Sequence, residues 1–350
     1  MSTRSLVSPE VSRRFDVLRT LLVVFVIGIH AEKVLQAYYT DIPDMLRAYL
    51  AIFPHNVFRL AVPLFFSVSG YLFFLTYKPD VASYGRMVVK KTRTILVPFL
   101  LFNAITLLLI QVFNKVPYIG DYHMVDTDGY LKLLLGLYRY PVVYTLWFLR
   151  DLYIYFLLAP VFYVFAKEIP LLGLVTCWAV WMFVPQGHIP VELSGLVFFH
   201  GGCVLARLRA DLDGADRYVV PVSLGYLLLL GGAASYEYFF GAQSYYHLLY
   251  RNSMIFGVTT VWLVSAWPPL RDAVVLRRLA ATSFFVYLIH EPVLSYLIYA
   301  ARFVWKPTGT AGGIVAMGLL SILTYALCHG LARLLASRLP RFYALATGAR

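Results

Sequence analysis

At 350 residues, 60% hydrophobic and only 14% charged, the chain is far from the composition of a soluble domain, in which about a quarter of residues are charged. Its formal net charge of +12 would suit a nucleic-acid partner, but cationic loops on the cytoplasmic face of a polytopic membrane protein account for it, so no nucleic acid is expected. Cys177, Cys203 and Cys328 all fall inside apolar segments and point to neither a disulfide framework nor a metal site.

The first seventeen residues are polar and run straight into an apolar stretch, with no cleavable signal peptide apparent. Ten segments then read as membrane spans: Leu18–Ala37, Val57–Tyr77, Ile95–Val112, Leu146–Phe165, Leu171–Val184, Leu193–Ala206, Tyr218–Ser235, His247–Ala266, Ala281–Ala300 and Gly313–Ala336. The fifth and sixth are shorter than the usual ~17–25 residues and can equally be one re-entrant pair. With the N-terminus inside, alternation leaves twenty Lys and Arg residues in cytoplasmic segments, among them Arg13, Arg14, Arg19, Lys78, Arg86, Lys90, Lys91 and Arg93. Six remain outside: Arg47, Lys115, Lys132, Arg139, Arg302 and Lys306. That asymmetry predicts an all-α polytopic protein of about ten helices with both termini cytoplasmic, in a bacterial inner membrane. One integral-membrane domain is expected over residues 1–350, with a cytoplasmic segment at 1–17 and a short tail at 337–350. The longest outer loop, Asn114–Thr145, carries Asp121, Asp126 and Asp128, and Tyr130–Tyr140 is a candidate interfacial helix.

Five constellations stand out along this frame. In the first span Asp16 and Arg19 are close enough to pair at i, i+3. His30 follows Arg19 by eleven positions, so both share one helix face about 16 Å apart. Arg19 also reads as a plain topology-setting cation. An ionisable group at bilayer depth is a functional-site hypothesis by default, and a neutral imidazole suits proton abstraction from a hydroxyl; a structural histidine is the alternative. In the second span Ser67, Ser69 and Gly70 interrupt an aromatic run. Small residues permit close helix packing; the functional reading makes Ser69, about 14 Å inward from Lys78, a hydrogen-bond donor at the depth of His30. Arg86, Lys90 and Arg93 share a helical face in a basic run that includes Lys91 and ends at Pro98, suited to lipid headgroups or to nucleotide phosphates. Arg150 and Asp151 sit about one turn inside the fourth span; as i, i+1 neighbours they cannot pair with each other, and each is expected to find a partner on another helix. They read as an interhelical ion pair or as acceptor ligands, the latter role also falling to Arg59 and Glu291. The ninth span places His290 and Glu291 together before Pro292, about 14 Å deep. His200 lies about 10 Å from the cytoplasmic edge of the sixth. No span offers paired metal ligands at i, i+3 or i, i+4, so a site built from His30, His200 and His290 is not expected.

The ordered set resembles the membrane acyltransferase 3 family: Asp16, Arg19 and His30; then Phe65, Phe66, Ser69, Gly70 and Tyr71; then Lys90, Lys91, Arg93 and Pro98; then Tyr287 and His290. The resemblance covers nearly the whole chain. It implies transfer of an acyl group, usually acetyl, from cytoplasmic acyl-CoA to a hydroxyl of a surface or exported glycan or lipid-linked saccharide, within a membrane-lipid setting and a possible glycan-biosynthesis complex. Arg19, Lys90, Lys91 and Arg93 would hold the donor. His30 would act as general base or acyl carrier, with Arg19, Ser69 and His290 as further catalytic groups. The fourteen residues after the last span leave no room for the soluble hydrolase-like domain fused to many members, so a stand-alone member without a permanently bound cofactor is expected. Two other readings stay open: a proton-coupled secondary transporter, and a glycan-export protein without chemistry of its own.

Overall fold

The computed structural model describes residues 7–113, 129–137, 140–186, 191–240 and 244–349, and among these there is no strand. The helices in chain order are α1 (Pro9–Ala31), α2 (Lys33–Tyr38), α3 (Asp44–Ile52), α4 (Ala61–Thr76), α5 (Val81–Lys91), α6 (Val97–Phe113), α7 (Tyr130–Leu135), α8 (Trp147–Leu157) and α9 (Ala159–Glu168). They continue as α10 (Pro170–Phe183), α11 (Ser194–Arg207), α12 (Val219–Phe240), α13 (Ser244–Val264), α14 (Pro268–Arg271), α15 (Val274–Ala301), α16 (Gly309–Arg338) and α17 (Pro340–Thr347).

Each of the ten predicted segments is occupied by helix. By length and composition five helical stretches among the described residues can cross a membrane: Asp44–Thr76, Val81–Val112, Gly214–Tyr236, Val274–Ala301 and Gly309–Arg338. A sixth arises if α8 and α9, bent by 64° at Leu158, form one span. The bend has a local cause, because Pro160 in the first turn of α9 has no N–H to continue the α8 ladder. α10 and α11 have fourteen residues each, about 21 Å of helix against a hydrocarbon core of about 30 Å. Of the outer loop, Tyr130–Leu135 is helical, shorter than the Tyr130–Tyr140 expected, while Asp121, Asp126, Asp128 and Arg139 lie outside the described residues.

Two prolines set the irregular segments. Pro54 and Pro98 each remove one backbone donor, and near each the ladder shifts to i→i−5 bonding: Phe58 N–H reaches the Phe53 carbonyl, and Val97 N–H reaches Thr92. The π-helical turns so formed, Phe53–Val57 and Thr92–Leu96, carry His55 and Arg93 at opposite ends of the bundle.

α1 and α15 run side by side in the same direction, with Thr20 Oγ1 3.2 Å from Ser283 Oγ. α16 returns antiparallel, with Tyr325 OH 3.2 Å from Ser283 Oγ and His329 Nδ1 2.8 Å from Thr282 Oγ1. At the amino-terminal end Arg14 is fully buried and pins α1 to the α13 end and the turn before α12. Its guanidinium donates to Ser265 Oγ (3.0 Å), the Trp262 carbonyl (2.6 Å) and Asp216 (3.1 Å), and lies 4.1 Å over the Trp262 ring. The closest helix pair is α4 with α11. A Cβ on Gly70 would collide with the Phe199 carbonyl, and one on Gly202 with the Ser67 carbonyl, so the two backbones touch through glycine. The Ser67–Ser69–Gly70 interruption is thus a close-packing device, and Cys203 Sγ completes it by bonding the Gly70 carbonyl at 3.4 Å.

Candidate active site

The parallel run of α1 and α15 brings His30 and His290 together. Their rings stack at 25° with centroids 5.7 Å apart. His290 is fully buried, and its Nδ1 lies 2.7 Å from the carbonyl of Tyr287 one turn back. A carbonyl only accepts, so Nδ1 carries the proton and Nε2 bears a lone pair. That Nε2 is buried and has no hydrogen-bond partner among the described residues. His30 is half-buried, one residue from the end of α1, and its Nδ1 shares a 2.6 Å hydrogen bond with the Tyr144 hydroxyl.

Polar groups flank this pair on both sides. Lys33 Nζ sits 2.6 Å from Glu291 Oε1 and 4.5 Å over the Tyr144 ring, and Ser295 Oγ donates to the same Glu291 oxygen at 3.0 Å. Across α1, Glu32 Oε2 lies 2.9 Å from His55 Nε2, and the Tyr250 hydroxyl donates to the His55 carbonyl at 3.1 Å. The exposed Arg59 stands beside Tyr250. Glu291 and Arg59, expected as acceptor ligands, therefore border the histidines. Lys33, Glu32, His55, Tyr144 and Tyr287 were not named there as site residues. Lys33 and Glu32 had a visible signal, charges within three positions of His30. Tyr144 had none, being one of 27 tyrosines in a chain expected to wear aromatic belts.

Arg150 and Asp151 do something else. The expectation that they cannot pair is corrected: Arg150 Nε lies 2.8 Å from Asp151 Oδ1, because the long arginine stem curls back at the first turn of α8. Each also ties down an interhelical connection, Arg150 NH1 on the Gly136 carbonyl and Asp151 Oδ2 accepting from the Glu192 N–H at 2.8 Å. Both are buried, and the pair fastens loops.

Ser69 is not brought to the histidines. Phe15 of α1 meets Tyr71 of α4 with centroids 6.4 Å apart, whereas Phe58 packs under Gly28, so α4 descends as α1 rises. Ser69 is level with about residue 17 of α1, roughly 20 Å below His30. Arg19 points outward with its side chain 54% exposed, 3.3 Å from Asp16. His200 is buried against Gly173 of α10, away from the pair, and among the described residues no three potential metal ligands cluster.

The basic run lies at the amino-terminal end and lines an open cavity of about 900 Å³ between α5, the turn into α6, and α17. Arg86, Lys90 and Arg93 contribute to its wall, with Gly85, Ala344 and Gly348 opposite and between them. Lys91 turns the other way, its ammonium 3.6 Å over the Phe156 ring. The spacing-based reading of one shared face for Arg86, Lys90 and Arg93 is the arrangement seen; Lys91 and Arg19 do not line this cavity.

Comparison with known proteins adds to this geometry. The succinoglycan biosynthesis protein ExoH of Rhizobium meliloti (strain 1021) is 25% identical over 357 residues, an alignment covering 97% of this chain and 93% of that protein. No solved structure matches. The family profile Acyl_transf_3, described as an acyltransferase domain, matches residues 12–333, which takes in both histidines, the glycine-packed helix pair and the basic run. The chain belongs to this acyltransferase family.

Proposed function

We propose that this protein is a multi-pass O-acyltransferase of a bacterial inner membrane, moving an acyl group, acetyl in the simplest case, from acyl-CoA to a hydroxyl of an exported polysaccharide or its lipid-linked precursor. Family membership supports the reaction class, and the relative named for succinoglycan biosynthesis supports a polysaccharide acceptor. The observation that carries the site is the stacked imidazole pair with a buried, unpartnered Nε2 on His290.

The amino-terminal end, where the basic side chains gather, faces the cytoplasm. There Arg86, Lys90 and Arg93 hold the phosphates of the donor, and its flexible arm carries the thioester inward. The acceptor enters from the opposite end, past Glu32, Lys33, Arg59 and Glu291. His30 Nε2 takes the acceptor hydroxyl proton as the oxygen attacks the thioester carbonyl. The carbon–sulfur bond then breaks, the ester is released, and the imidazolium returns its proton to the leaving thiolate. His290 Nε2 accepts a hydrogen bond from a neighbouring hydroxyl of the acceptor sugar and so orients the attacking one. Membership in the acyltransferase family separates this reading from a proton-coupled transporter.

The experiment is a deletion strain complemented with wild-type protein or His30→Ala. The deletion should lower the acyl content of one surface polysaccharide. Wild type should restore it and His30→Ala should not, at equal membrane abundance. Full restoration by His30→Ala refutes the base assignment, and unchanged acyl content on deletion refutes the function.

A further inference from the structure

A base is only as good as its tautomer. If His30 takes a proton at Nε2, then Nδ1 must carry the other one, and it needs an acceptor. One oxygen lies on Nδ1, the phenol of Tyr144 at 2.6 Å. We propose that Tyr144 is the positioning residue that holds His30 in the Nδ1–H tautomer and aims its Nε2 lone pair at the reacting hydroxyl. This rests on the base role given to His30 above.

The residues around Tyr144 hold it as a fixed support. Its segment is a single 3-10 turn, Tyr144–Leu146, pinned from both sides. Before it, Val143 N–H donates to Asn103 Oδ1 of α6 at 2.8 Å; Asn103 is fully buried and its amide is itself anchored on the Phe99 carbonyl at 2.8 Å. After it, the Thr145 carbonyl accepts from the Tyr287 hydroxyl at 2.6 Å. Tyr287 thus acts twice: its hydroxyl fixes the turn that carries Tyr144, and its carbonyl fixes His290. Both imidazoles are then held in one tautomer by oxygen acceptors on Nδ1, one phenolic and one carbonyl. The Tyr144 ring is edge-on to His30 at 88°, with the Lys33 ammonium on its face, so ring rotation is blocked as well. The arrangement follows the general logic of a base oriented by a third group. When His30 becomes imidazolium, Nδ1–H keeps the same partner and nothing need move.

The test uses full-length protein in membranes, with acetyl-CoA and polysaccharide from the deletion strain as substrates. Tyr144→Phe should lower kcat about 100-fold, the scale of a misplaced catalytic group, with the KM for acetyl-CoA unchanged. Tyr140→Phe, whose ring only touches Tyr144 edge-on, should keep wild-type rates. Replacing Tyr144 by 3,5-difluorotyrosine preserves the shape while making the oxygen a poorer acceptor and a better donor. It should slow turnover several-fold. Difluorotyrosine at or above the wild-type rate overturns the proposal even if Tyr144→Phe fails to fold. Normal kcat in Tyr144→Phe with a dead His30→Ala overturns the positioning role alone; an active His30→Ala overturns the base role beneath it.

Discussion

Gly201 and Gly202 are neighbours on α11, yet the structure assigns their alanine variants opposite signs. A Cβ at Gly201 would meet only Leu174 Cδ2 at 3.9 Å, an ordinary contact. A Cβ at Gly202 would sit 2.7 Å from the Tyr71 amide nitrogen and 2.9 Å from the Ser67 carbonyl carbon, and closer still to the Ser67 carbonyl oxygen. All three are backbone atoms of α4, so no side chain can swing aside. To restore even a tight 3.4 Å to the Tyr71 nitrogen the helices must part by at least about 0.7 Å, and by more to clear the Ser67 oxygen. A gap of that size forfeits a quarter to a half of each contact well along the seam. The seam includes Phe73 on Phe199, at 5.8 Å between centroids, and the Cys203–Gly70 bond. Overpacking of this kind costs about 1–3 kcal/mol. Gly201→Ala loses nothing and gains up to about 1 kcal/mol of helix propensity. That propensity gain is common to both positions, so the two variants should differ by the overpacking cost, about 1–3 kcal/mol. Thermal unfolding of the detergent-solubilised protein, followed by loss of the monodisperse peak, reads the difference directly. Equal melting temperatures, or a less stable Gly201→Ala, would refute the claim that α4 and α11 touch through backbone at Gly202.

Arg14→Met leaves Asp216 without its guanidinium and should destabilise the protein by about 3–5 kcal/mol in the same assay. Lys90→Gln should raise the KM for acyl-CoA about tenfold with kcat unchanged, an effect that fades with added salt, whereas Lys91→Gln should leave that KM alone. Asp151→Asn should lower thermal stability by about 2 kcal/mol or more without a specific loss of kcat in the folded fraction, since its contacts are Arg150 and the Glu192 amide. A double-mutant cycle on Lys33→Met and Glu291→Gln, read on kcat/KM, should give a coupling of about 0.5–1 kcal/mol, the ion pair being partly exposed at Lys33.

Positions along each helix were legible in the sequence; relations between helices were legible only where a second constraint existed. All ten predicted apolar segments are helical, because an unbroken hydrophobic run can satisfy its own backbone bonds in no other local way. Arg86 and Lys90 share a wall because a spacing of four is a property of one α-helix, and Arg93 joins them from the π-helical turn that follows. The irregular turns at Phe53–Val57 and Thr92–Leu96 trace to Pro54 and Pro98, which the sequence displays but whose consequence, an i→i−5 step, depends on helix continuing through on both sides. Tyr144 escaped because its partner lies 114 positions away.

The misplacement of Ser69 shows how a depth argument fails. Counting inward from Lys78 put Ser69 about 14 Å deep, and counting from Arg19 put His30 about 16 Å deep, so the two looked level. The error lies in treating Arg19 as the edge. α1 runs unbroken to Pro9, ten residues and about 15 Å further down. The cation at that end which matters to the fold is Arg14, sealed inside the bundle by Ser265, Asp216 and Trp262. With the origin moved, His30 rises toward the far end of the bundle and Ser69 stays low, beside Tyr71 and Phe15. Arg19 lies ten residues inside its helix whereas Lys78 lies just past the end of α4, so the counts for His30 and Ser69 start from different levels and only that of His30 falls short. His290 was counted from Ala281, and α15 likewise runs on below that residue to Val274, so the counts for the two histidines fall short in the same sense. The two histidines meet because their helices carry similar offsets, and Tyr144, held between α6 and α15 at the same level, completes the group.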